Sequence, residues 1–349
     1  MLLSHNMQMM KICCAAVLLA MSLLPGLHAD PHTHVTSFIS PTPHPVATKH
    51  GTKNLKEGSG AAVPQSNDIL LDYHMGPVMT GIEEMIKLFI IYYGDFGKKQ
   101  RSILRHFFKS FQHPHIQLPE DHPTVEKWWQ ITRGYVDLYD NPVARNIVLA
   151  AEVIDDYSLG KRLNQSEIQT LVIDYMVSFG TDSRSIYVVL TSEDVVVDRF
   201  CYVCGSHFYT FPSDETKGQM VPYGWVGNPA VHCPGLCSWP YAPGGIFTKP
   251  LIPPNGDVGI DGMIITIASL LASVATDPYG SGYYQDDSGL EAVGACQGIY
   301  GKGSYNGYPG ELLVDNATGA SFNVFGAGNA RYLIPWMWNR RTQVCAGQV

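Results

Sequence analysis

The sequence predicts an α+β protein: a single disulfide-stabilised domain with a central mixed sheet and helices packed against it. Residues 88–93 ("LFIIYY") and 186–190 ("IYVVL") are apolar on both alternating faces, as strands covered on both sides should be. Other segments place apolar residues at helical spacing. Six cysteines (Cys201, Cys204, Cys233, Cys237, Cys296 and Cys345) fall where Gly, Pro and aromatic residues dominate. Residues 69–349 contain no linker, so one domain is the economical reading.

Lys11 precedes an apolar run at residues 12–24, and a helix-breaking "PG" and "LHA" follow at cleavage distance. Residues 1–29 therefore read as a signal peptide, with export to the extracellular space as its consequence. The run is about 13 residues where a membrane span needs about 20, so no stable membrane insertion is expected. Residues 30–68 form a Pro/His-rich, disordered linker; its His32, His34, His44 and His50 read as a solvated tail rather than a metal site.

From residue 69 the pattern is globular. "MIKLFIIYYGDF" (residues 85–96) predicts a central strand ended by Gly94. "KKQRSILRHFFKSF" predicts a helix burying Ile103, Leu104, Phe107, Phe108 and Phe111. Further helices are expected within "HPTVEKWWQITRGYVDLY" and "PVARNIVLAAEVIDDY". Trp128 and Trp129 are adjacent, so one indole is expected in the core rather than both. "NQSEIQTLVIDYMVSFG" has Asn164 as N-cap, Glu167 three residues later and Gly180 as terminator. "SIYVVLTSEDVVV" (residues 185–197) is a buried strand interrupted by a polar loop. Residues 198–255 should be held by disulfides rather than helices. Residues 262–275 form a core helix with Asp261 as N-cap and Pro278 as stop, and "RYLIPWMW" reads as a last strand.

Charged residues make up 15% of the chain against roughly 25% in an average protein, and the formal charge is −8, with no long basic run. Nucleic acid is excluded as a partner, because phosphate contacts need clustered Lys and Arg. Signal cleavage would remove Cys13 and Cys14 and leave an even set, so disulfides are expected, with their pairing open. The alternative is a zinc site from "CYVC" and "CPGLC" with His207 and His232 nearby, but the spacings fit a zinc ribbon poorly. Of two sequons, "NAT" at Asn316 is the better glycosylation site, because the Asn164 side chain is engaged as a cap.

The segments "LDYHMGPVMTG", "LFIIYYGDF", "VEKWWQI", "VVLTSEDV", "FCYVCGSH", "WVGNPAVHCPGLCSWP", "PNGDVGIDGMI", "ATDPYGSGYYQ", "EAVGACQGIYGKGSYNGYPG" and "LLVDNATGASFN" resemble, in order, the hallmark segments of the plant EXORDIUM, or phosphate-induced, protein family. The likeness covers residues 69–349, with a looser "MTGIEEMIK". It implies a secreted apoplastic or cell-wall protein connected with cell expansion and brassinosteroid-responsive growth, and no established enzymatic activity.

No G-x-S-x-G, H-E-x-x-H, Walker or dinucleotide motif is present, and "GKGSYNG" and "GAGN" read as turns. "SLLASVATDPYGSGYYQDDSGLEAVGAC" also resembles the active-site region of zincin metalloproteases, with Ser269, Leu270 and Ser273 at the positions of ligands and base. Such residues cannot hold a catalytic metal, so the helix is an ordinary core helix or the silent helix of a degenerate zincin-like fold. Neither predicts hydrolysis, and no cofactor is expected. Trp225, Trp239, Trp336 and Trp338 could offer platforms to sugar rings, although core burial is their default. The residues singled out for binding are Trp225, His232, Asp277, Asp286 and Glu291. The expected partner is a cell-wall polysaccharide or cell-surface protein, met without catalysis. The rival is a wall-modifying hydrolase drawing a carboxylate pair from Asp257, Asp261, Asp286, Asp287 and Glu291.

Overall fold

The computed structural model describes residues 69–112, 119, 121–243 and 249–348, and the backbone of residues 36–38. The expected leader and the rest of the linker lie outside the described residues. The main sheet has six strands: β1 (Thr36–Phe38), β2 (Met85–Tyr93), β3 (Asn146–Asp155), β4 (Ser185–Thr191), β5 (Gly205–Tyr209) and β6 (Pro222–Gly227). Their order is β1-β5-β6-β4-β2-β3. Strands β3, β2, β4 and β6 run parallel, and β5 and β1 extend one side antiparallel. The α+β expectation with a mixed sheet is met. Part of the stretch read as linker, β1, joins that sheet.

Among the described residues five α-helices accompany it: α1 (Lys98–Lys109), α2 (Val125–Trp129), α3 (Gln165–Phe179), α4 (Pro234–Cys237) and α5 (Val258–Thr276). The pleat of β2 sorts the layers, because successive side chains point to opposite faces. Ile86, Leu88, Ile90 and Tyr92 join a core built with α1, α2 and α5, while Phe89, Ile91 and Tyr93 join a second core under α3 and α4. Being buried on both faces is why the strand reads as an unbroken apolar run.

Helix α5 is apolar all round because it is enclosed: every residue from Gly259 to Thr276 is buried. It is long and apolar enough to cross a membrane, yet 94% of the stretch is buried inside the protein. Gly224 of β6 lets it dock closely, since a Cβ there would stand 2.5 Å from the Leu270 side chain. Its N-cap is Asp257, whose carboxylate accepts from Ile260 N at 3.0 Å, and not Asp261. Asp261 instead lies buried in the first turn, accepting from Asn255 N and Nδ2.

Several other expectations need correction. The segment expected to be a helix at residues 142–157 is strand β3, which pairs with β2 along its length; that backbone ladder overrides a composition that includes Ala150, Ala151 and Glu152. Trp128 and Trp129 are both fully buried, because α2 is enclosed on two sides: Trp128 Nε1 donates to Pro335 O and Trp129 Nε1 to Ala144 O. The helix there is short and continues as a 3-10 turn, Gln130–Gly134. Residues 198–255 contribute strands β5 and β6 besides their disulfides, and "RYLIPWMW" divides between the short strands Arg331–Tyr332 and Met337–Asn339.

The α3 boundaries follow the sequence signals. Asn164 Oδ1 accepts from Glu167 N at 3.0 Å, the Glu167 carboxylate accepts from Asn164 N at 2.7 Å, and Gly180 ends the helix at φ 92°. Asn164→Ala should cost about 1 kcal/mol in denaturant unfolding, with an unchanged m-value. No loss would mean that the cap adds nothing to the folded state.

Candidate functional site

The order of the parallel strands reverses at β2, which has β3 on one side and β4 then β6 on the other. Chain leaving β2 enters α1 on one face of the sheet, and chain leaving β3 enters α3 on the opposite face. Connections that part in this way open a crevice at the carboxyl ends of the strands, the usual ligand position in open sheets of this kind. Three loops meet there: "GDFG" after β2, "DYSLGK" after β3 and "SED" after β4.

Tyr157 ties the loops together. Its backbone takes the left-handed region at φ 57°, uncommon for a bulky residue, and its hydroxyl accepts from Asp95 N at 3.0 Å while donating to Asp194 Oδ2 at 2.9 Å. Asp194 also accepts from Ser192 Oγ at 2.7 Å and from Lys161 Nζ at 2.6 Å. Partial burial acts to raise the Asp194 pKa, but these donors outweigh it and hold the carboxyl down at about 2. Gly94, at φ 96°, permits the close approach: a Cβ would lie 2.1 Å from Ser192 Oγ and 2.9 Å from the Tyr157 ring.

Beside this network is a cleft of about 480 Å³, lined by Gly94, Asp95, Phe96, Arg101, Ile154, Asp156 and Tyr157. Among the described residues Asp95, Asp156 and Arg101 form no ion pair, with each other or with any other group. The amino end of α5 lies nearby, since Gln100 of α1 donates to the Asp257 carboxylate.

The residues singled out from sequence lie elsewhere. Trp225 is wholly buried on β6, its Nε1 donating to Thr191 Oγ1 at 3.0 Å, and so offers no platform. His232 is exposed and edge-on to Phe200. Trp239 and Trp338 are buried, while Trp336 is half-buried in a separate groove. Asp277, Asp286 and Glu291 do fall in one region, beyond the carboxyl end of α5. A helix of 19 residues is about 28 Å long, which separates them from the cleft and from Asp257 and Asp261.

Within that region Asp277 braces its turn by accepting from Ser281 N and Gly282 N, and Asp286 accepts from His74 at 2.6 Å on the surface. Glu291 pairs with His207 of β5 at 3.1 Å, the two side chains being 1% and 3% exposed. No local acid in the sequence announces His207; its partner is 84 residues away. Burial opposes charge on His207, but Glu291 and then Asp277 outweigh it and raise its pKa. Burial and the Glu291 charge likewise raise Asp277. The pair is enclosed and belongs to the interior.

The cysteines form Cys201–Cys233, Cys204–Cys237 and Cys296–Cys345. Four of them are thereby removed from the alternative zinc site. Among the described residues no three His, Cys, Asp or Glu side chains converge as a metal site requires. The zincin-like reading gains no support: Ser269 is buried and its Oγ donates to Ile265 O, Ser273 is buried, and Leu270 packs toward β6. No solved structure matches the chain. Asn316 is exposed beside the turn that follows residues 313–314.

These features define a layered α+β protein, pinned by disulfides, with a polar cleft where the order of its parallel strands reverses. The chain belongs to the phosphate-induced protein 1 family, whose conserved region matches residues 71–348. It is 42% identical to Protein EXORDIUM of Arabidopsis thaliana over 290 residues, covering 80% of this chain and 90% of the relative. Protein PHOSPHATE-INDUCED 1 of Nicotiana tabacum is 40% identical over 299 residues, covering 82% of this chain and 90% of the relative. Protein EXORDIUM-like 3 of Arabidopsis thaliana is 36% identical, covering 90% and 94%.

Proposed function

We propose that this chain is an exported, non-catalytic binding protein whose ligand occupies the cleft at the strand reversal. In this reading it acts in growth through a cell-wall polysaccharide or a cell-surface protein, as the family resemblance implies for the apoplast and for brassinosteroid-responsive expansion. The observation that carries the reading is a division of labour among polar groups. Tyr157, Ser192 and Lys161 all donate to Asp194 in the loops that border the cleft, whereas Asp95, Arg101 and Asp156 on its lining form no ion pair among the described residues. Such a site has a rigid base and available charge for holding a ligand. Three disulfides, which persist in oxidising compartments, support export. The carboxylates of the hydrolase alternative divide between the two ends of α5, so a pair drawn from opposite ends is too far apart to act together.

Recombinant secreted protein should be retained on purified wall fractions and show no turnover in a broad hydrolase screen. Robust turnover without retention would overturn the proposal. Glycopeptide mapping of the same material should find sugar on Asn316 and none on Asn164, where the side chain already caps α3. Occupancy at Asn164 alone would reverse that assignment.

A further inference from the structure

We infer that the cleft at the strand reversal recognises a neutral, hydroxyl-rich sugar unit; this rests on the cleft being the ligand site. Asp95 and Asp156 bring carboxylates, which only accept hydrogen bonds, and Arg101 brings a guanidinium, which only donates. A ligand satisfying both must present donors and acceptors side by side. Adjacent hydroxyls do so without a charge of their own, donating to the carboxylates and accepting from the guanidinium in charge-assisted bonds. The apolar part of the lining suits the C–H face of a sugar ring through Ile154, near the end of β3, which is 53% exposed; Phe96, also on the lining, is buried. The volume, about 480 Å³, lies within the range of small-molecule sites.

Other ligand classes fit less well. A phosphate or uronate would meet two unpaired carboxylates against one guanidinium, because the nearby Asp194 and Lys161 already neutralise each other. An organic cation would meet Arg101, and the Tyr157 face that might attract it already carries Lys161 Nζ at 4.6 Å from the ring centroid. An added peptide strand finds no open ladder between β2 and its neighbours, since Gly94 N donates to Asp155 O and Ser192 N to Tyr93 O.

The test is titration of the full secreted protein with neutral gluco-, galacto- and xylo-oligosaccharides, oligogalacturonate and inorganic phosphate. At least one neutral series should bind, and Asp156→Asn and Arg101→Gln should each weaken it about 10- to 100-fold. Both residues line the cleft and form no ion pair among the described residues, so the variants should melt close to the parent. Preference for oligogalacturonate or phosphate would overturn the neutral-sugar assignment. Retention on wall fractions that neither substitution alters would remove the cleft from recognition while leaving the binding function standing. Absence of retention on every fraction would remove both.

Discussion

Glu291→Gln should lower the stability of the folded protein by about 3 kcal/mol in mildly acidic buffer, the order of cost expected when a buried ion pair loses one member. Glu291 and His207 are almost wholly enclosed, so water cannot replace the missing charge. The effect has a pH signature. His207 has a raised pKa in the fold, so its contribution is complete below its unfolded value near 6.5 and is lost as pH rises through the folded value. Asp277 is also raised, and Asp261 is raised to about 7 by burial, with the neighbouring Asp257 charge adding to it. For both, the fold favours the protonated carboxyl, and stability again falls as pH climbs from the unfolded value of 3.8 toward the folded one. Asp194, depressed to about 2, works in the opposite sense: its contribution is present above 3.8 and is lost as pH falls through the folded value. The parent should therefore be most stable at about pH 4, with stability falling as pH rises and falling further once His207 begins to lose its proton. Melting curves across pH should show this maximum, and Glu291→Gln should flatten its neutral side while Asp261 preserves part of the slope. A variant as stable as the parent at every pH would show that the pair contributes nothing to the fold.

Gly94→Ala should be comparably damaging, costing about 3 kcal/mol or more, through two separable causes. One is conformational, because φ of 96° is a region L side chains rarely adopt. The other is steric, because the new methyl would stand 2.1 Å from Ser192 Oγ and near the Tyr157 ring. Neither neighbour is free to withdraw, since Ser192 and Tyr157 both donate to Asp194. A Ser192→Gly companion should recover the part of the steric cost owed to Ser192 and leave the Tyr157 contact and the conformational part, so the double variant should melt between the single variant and the parent. The proposed recognition should fall with Gly94→Ala even at temperatures where the chain stays folded, because the loops that form the cleft are displaced. A single variant that melts with the parent would show that the backbone there relaxes without cost.

The sequence disclosed the parts of this fold whose signals are local. Strands β2 and β4 appear as unbroken apolar runs because both faces are covered, and α3 carries its own start and stop in Asn164, Glu167 and Gly180. Strand β3 was hidden because it is an edge strand of the parallel set, only partly buried, whose Ala150, Ala151 and Glu152 also suit a helix. A helix in place of β3 hides the cleft. Without β3 as a strand, β2 has a neighbour on one side only, no reversal in order exists, and Gly94 reads as a strand terminator. Strands β5 and β6 escaped notice because Gly205, Gly224 and Gly227 interrupt their patterns, each marking a close approach rather than a turn. The grouping of Asp277, Asp286 and Glu291 was legible from proximity along the chain; the enclosure of Glu291 by His207 depends on contacts far apart in sequence.

The paired bridges near α4 also bear on how the oxidised chain reaches its final connectivity. Cys201 and Cys204 face Cys233 and Cys237, and exchanging partners between the two bridges would close rings of nearly the same size. Loop entropy varies only slowly with ring length, so it scarcely discriminates the correct arrangement from the crossed one. The choice falls to shape: one turn of helix separates Cys233 from Cys237 and must present each sulfur to its own mate. Reduced and denatured protein should therefore regain native connectivity efficiently only where thiol exchange allows crossed isomers to be undone.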